Sequence, residues 1–148
     1  MGRIGDWSRP AGAARGDADD ATWAVRAFVF RFVVERGVPP TAAEAAAGLG
    51  IGVGAARAAY RRLGARHGVL LEPGGESIRM AKPFSGVPTP FPVRANGRVY
   101  HANCALDAFG IPAALQSDAE LEAEFAEDGA PARLAVAGGR VRGDGGVV

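Results

Sequence analysis

Four prolines fall within residues 83–92, at Pro83, Pro88, Pro90 and Pro92, and they constrain the plan of the whole chain. Each proline locks its own φ, lacks a backbone N–H and pushes the residue before it out of the helical region. No regular helix can cross this stretch, so an extended connector is expected there. Before it, apolar residues recur at helical spacing; after it, short alternating runs surround Asn-Gly and Gly-Gly pairs. A length of 148 residues suits one ordinary domain or two small modules. Charge divides in the same place: residues 1–82 carry 12 Arg/Lys against 8 Asp/Glu, and residues 83–148 carry 5 against 8. The expected organisation is a disordered leader at 1–19, a helical module at 20–82 and a β-rich module at 83–148.

Within the first module, Asp19 or Asp20 can cap a helix running to about Arg36, with Gly37 as its stop. Thr41 and Glu44 form a capping box, in which hydroxyl and carboxylate each satisfy a free N–H of the first helical turn. This second helix should end near residues 48–50, and a third should span about 53–66. Two short extended runs, 69–71 and 77–80, then flank the turn at Gly74-Gly75 and read as a hairpin. Three helices followed by a hairpin is the order of a winged helix. The glycines from Gly48 to Gly54 lack the strand and the Lys-Ser/Thr pair of a nucleotide loop, so they read as a joint between helices.

In the second module, Asn96-Gly97 between alternating residues predicts a hairpin with a type I′ turn. A short helix is expected at about 104–109, ended by Gly110 and Pro112. The acidic run 120–128 reads as a solvated face, and Gly138-Gly139 should turn a second hairpin between 132–136 and 140–141. The fold class expected is therefore α+β. Much of the apolar content is alanine, so the core should lean on Trp23, Phe28, Phe30, Phe32, Leu70, Leu71, Phe84, Tyr100, Leu106, Phe109 and Leu115.

A net charge of +1 excludes binding of nucleic acid or membrane surfaces by bulk electrostatics. No apolar run has the length of a signal peptide or a membrane span, and a single cysteine excludes an internal disulfide framework; a cytoplasmic protein is expected. That cysteine, Cys104, lies where a strand hands over to a helix. Its sulfur should sit near unpaired N–H groups and the positive end of the helix dipole. Asp107 follows one turn later on the same helix face, placed to take a proton from the thiol and give it elsewhere. A soft sulfur beside a proton carrier suits a soft electrophile or metal. The plainer alternative is a buried, inert cysteine and a first-turn helix acid. His67 and His101 are too few to make a zinc site with one cysteine.

The segment Pro83-Phe-Ser, Pro88-Thr-Pro, Val93, Tyr100, Asn103-Cys104-Ala-Leu-Asp107-Ala-Phe-Gly-Ile-Pro112 resembles the active-site segment of the alkylmercury lyases (organomercurial lyases). Residues 128–136 resemble that family's next hairpin, and the preceding helices its winged-helix-like N-terminal region. The resemblance implies a mercury-resistance enzyme that cleaves carbon–mercury bonds by protonolysis. It implies Cys104 as the thiol that captures mercury, as substrate and product, and Asp107 as the acid that protonates the leaving carbon. No resident cofactor is implied, and the partners are an organomercurial or Hg(II) and small cytosolic thiols. The family also uses a second cysteine further downstream. This chain has none, which implies a shortened or truncated member, weaker cleavage and an external thiol for mercury release.

Two alternatives stay open. Arg57, Arg61, Arg62 and Arg66 line the third helix without one acidic residue, as in a DNA-recognition helix. The chain would then be a winged-helix DNA-binding regulator that senses mercury or thiol-reactive compounds. The other alternative is a catalytically inactive relative with a binding role.

Overall fold

The computed structural model describes residues 19–66, 68–124 and 129–143. The leader expected at 1–19 lies, apart from Asp19, outside the described residues, as does His67; the side chain of Arg66 is likewise not described. The chain divides into two compact units, the first ending at Ala81 and the second running from Lys82. The class is α+β, a helical module followed by a β-rich one.

The first unit contains helices α1 (Asp20–Arg36), α2 (Ala42–Leu49) and α3 (Val53–Arg66), then strands β1 (Val69–Leu71) and β2 (Ile78–Ala81). Asp19 is the N-cap of α1, its carboxylate accepting from Thr22 N–H at 2.7 Å, and Gly37 closes the helix in the left-handed region. Both halves of the Thr41–Glu44 capping box are present. Trp23, Val25, Val29, Phe30 and Val33 of α1 are buried with Ala56, Ala59, Tyr60 and Leu63 of α3. At Gly48 a side chain would run into the Phe28 ring, so the missing Cβ is what lets the aromatic approach α2.

Tyr60 is fully buried, and its hydroxyl donates to the Pro40 carbonyl at 2.8 Å. Burial, reinforced by the Glu44 charge, holds its phenol in the neutral form well above the usual tyrosine range. The unfolded chain ionises near pH 10, whereas the folded one stays protonated. This contribution to stability is therefore complete below about pH 10 and is lost as pH rises beyond it. Alkaline unfolding followed by circular dichroism should show that loss, and Tyr60→Phe should reduce it. The variant should also cost about 1–3 kcal/mol at neutral pH, because a buried carbonyl loses its donor.

The second unit is built on an antiparallel sheet, order β5-β4-β6-β7-β8, from β4 (Pro92–Ala95), β5 (Arg98–His101), β6 (Ala119–Glu124), β7 (Pro131–Ala137) and β8 (Arg140–Gly143). Asn96 and Gly97, both at positive φ, make the expected tight turn between β4 and β5. Helix α4 (Ala105–Leu115) packs on β4 and β6. Val93, Ala95, Tyr100, Ala119 and Leu121 are buried together with Ala108, Ile111 and Leu115 of the helix.

Four expectations are corrected here. Helix α4 does not stop at 109 but continues through Gly110 and Pro112 to Leu115, with Gln116 as a left-handed cap. Proline inside a helix costs about 3 kcal/mol. The buried stripe Ala108, Ile111, Pro112 and Leu115 has helical spacing, and burying each large member returns about 1.5–3 kcal/mol. The acidic run is not merely a solvated face: Ala119–Glu124 is the middle strand of the sheet, with Ala119 and Leu121 inward and Glu120 and Glu124 outward. Residues 125–128 lie outside the described residues. The proline connector is partly sheet, as strand β3 (Phe84–Ser85), with a bridge from Phe84 to Ala102. Finally, Leu106 is 80% exposed and Leu70 is 52% exposed, so neither is core.

Candidate active site

The connector is fastened to the strand that leads into the site. The Ala102 N–H donates to the Phe91 carbonyl at 3.0 Å, and the Thr89 hydroxyl donates to the Ala102 carbonyl at 2.5 Å. His101 is part of this fastening: the Thr89 N–H donates to its Nδ1 at 3.2 Å. Beneath it the buried rings of Phe84 and Tyr100 pack 5.6 Å apart, which fixes β3 against β5. Burial raises the Tyr100 phenol above its ordinary range, with Arg98 opposing in part. The strand then passes through Ala102 and Asn103 directly into α4.

Cys104 is the N-cap of α4, in extended backbone conformation and exposed to solvent. Its Sγ accepts a hydrogen bond from the Asp107 N–H at 3.4 Å. Serine, threonine and aspartate usually fill this position because an oxygen caps the free N–H groups. Here a sulfur does so and remains accessible. The buried-cysteine alternative is therefore excluded. Asp107 is half-buried at the third helical position, and its Oδ2 accepts from Asn103 Nδ2 at 3.2 Å. The same nitrogen lies 3.3 Å from the Pro83 carbonyl. Leu106, between the two, turns its apolar side chain to solvent.

Cys104 and Asp107 thus meet through the Asp107 backbone N–H, while the Asp107 carboxylate is held by Asn103. The sequence alone gives Asn103 no role, and its place four residues before Asp107 is the one local signal of it. Among the described residues there is no cluster of three His, Cys, Asp or Glu that could hold a metal ion.

The arginines of α3 lie in the other unit. Arg57 pairs with Glu76 at 2.5 Å and Arg62 with Asp19 at 3.3 Å. Arg61 is exposed on the same helix. The helix itself has no acidic residue, but these partners arrive from its flanks. Among the described residues no helix is long and apolar enough to cross a membrane.

In this small α+β protein an exposed cysteine caps a helix, with an aspartate one turn on and a proline-framed strand before it. The family model for alkylmercury lyase (MerB) matches residues 84–146, the segment that holds this site, and over that segment the chain is alkylmercury-lyase-like. Among solved structures, the mercury-bound form of MerB2 is similar in fold, with a TM-score of 0.66 and 22% identity. The likeness covers 84% of this chain and 59% of that one, so the chain spans well under two thirds of that protein's length. No curated protein sequence matches the chain.

Proposed function

We propose that this protein captures organomercurials on Cys104 and cleaves their carbon–mercury bond by protonolysis, with Asp107 as the proton carrier. The observation that carries the reading is the exposed Cys104 Sγ capping α4 beside Asp107, inside the segment matched by the lyase family. In the first step the Cys104 sulfur bonds to mercury in R–Hg–X, X leaves with the Hg–X electron pair, and the thiol proton passes to Asp107. In the second step Asp107 delivers that proton to the carbon on mercury. The Hg–C pair becomes the new C–H bond, R–H departs, and Hg(II) stays on sulfur.

A linear R–Hg–S unit is stable, and a second thiolate on mercury weakens the Hg–C bond by adding electron density there. The chain has one cysteine, so a small external thiol is assigned that part. The same thiol pool, of the kind a reducing cytoplasm supplies, carries Hg(II) away as a bis-thiolate and returns a proton to Cys104. Incubation with an organomercurial and excess small thiol should release R–H, measured by headspace gas chromatography. Cys104→Ser should abolish both that release and the one-to-one retention of mercury on the protein. Release that persists in the variant would overturn the assignment.

A further inference from the structure

Asn103 stands between two acceptors and joins them. Its Nδ2 is 3.2 Å from Asp107 Oδ2 and 3.3 Å from the Pro83 carbonyl oxygen. Both partners only accept, so the side-chain amide can sit one way round: turned over, it would set its own oxygen against two others. The two protons of one nitrogen therefore tie the carboxylate to the backbone at the start of the connector. That anchor is itself held against α4. A side chain at Gly110 would stand 3.0 Å from Pro83 Cβ, so helix and proline are in close contact there.

We infer that Asn103 is a positioning residue for the proton transfer, holding the Asp107 carboxylate beside the mercury bound on Cys104. The inference rests on the reading of Cys104 and Asp107 given above. Fixing Oδ2 fixes the plane of the carboxylate, and Oδ1, which makes no hydrogen bond among the described residues, carries the proton. Without the amide, Asp107 on the first turn of an exposed helix end samples several rotamers, of which few point at the carbon. Misplacement by an ångström costs about 10²-fold where reacting groups are preorganised. The proton lost on capture can also pass to solvent, so the amount of mercury retained should be indifferent to Asn103.

Three proteins, wild type, Asn103→Ala and Asn103→Asp, are to be compared for mercury retained per chain and for single-turnover release of hydrocarbon with excess small thiol. The expected result is unchanged retention in all three, with release slowed about 10–100-fold in Asn103→Ala. Asn103→Asp should be slower still near neutral pH, where two carboxylates face each other. Relative to wild type it should recover as pH falls and one proton, shared by the pair, restores a donor. A merely structural role for Asn103 would produce no such recovery. Undiminished release from Asn103→Ala, or a parallel loss of retention and release, overturns the inference and leaves the lyase reading standing. Absence of release from the wild-type protein overturns both.

Discussion

Asp107→Asn is expected to slow hydrocarbon release by at least about 10²-fold, the usual share of a positioned general acid, while mercury capture continues at one equivalent per chain. The substitution is close to isosteric. It keeps the backbone N–H that caps the Cys104 sulfur and an oxygen able to accept from Asn103. What it removes is a group that can hold a proton and give it up. The loss should therefore fall on the step that breaks the Hg–C bond, at about 2.7 kcal/mol for each hundredfold. Single-turnover assays with the mercurial preloaded on the protein separate that step from binding. Equal losses of capture and release would mean that Asp107 serves the local structure, and an unchanged rate would remove it from the chemistry.

The two ends of this site differ in how far they could be read from the chain. Cys104 and Asp107 announce themselves by rarity and by spacing: one cysteine, one helical turn, and a strand-to-helix junction that the Asn96-Gly97 turn helps to locate. Asn103 does not, because its role depends on Pro83, twenty residues earlier, returning to the head of α4. That return is a tertiary fact, set by the Phe84–Ala102 bridge and by Thr89 fastening the connector to the strand.

The same distinction explains where elements differ from expectation. Caps and turns are local contests between one side chain and a few backbone groups, so Asp19, Thr41, Gly37 and Asn96 marked the ends of their elements correctly. Pro112 is also a local signal, and locally it does oppose a helix. It is outweighed by the burial of Ile111 and Leu115 on a sheet whose middle strand is β6. The alternation Ala119-Glu-Leu-Glu-Ala-Glu124 carries the strand period, and its glutamates supply the charge of the acidic run. Leu106 shows the converse. It is apolar and helical, which suggests core, yet it falls outside the stripe formed by 108, 111, 112 and 115.

Phe84→Ala should be the most damaging single substitution for the second unit, at about 3–5 kcal/mol, whereas Leu106→Ala should lie within about 0.5 kcal/mol of wild type. Phe84 is fully buried, packs on Tyr100, and belongs to the residue pair that bridges the connector to the strand entering α4. Truncation would remove the ring and leave a cavity that Tyr100, buried and paired with Val93 of β4, cannot fill by small movements. Against a total stability of about 5–15 kcal/mol, such a loss is a large fraction. It would also release Pro83, the preceding residue, and with it the anchor that Asn103 uses. Hydrogen exchange at the amides of β4, β5 and α4 should therefore quicken in Phe84→Ala well before the first unit loses protection. Exchange unchanged in those elements would show that the connector does not hold the site together. Leu106→Ala is the informative control, because it removes an exposed apolar side chain from the first turn of α4 and disturbs no packing. Any change it makes in the preference among alkyl and aryl mercurials, at unaltered stability, would place that leucine against the organic group.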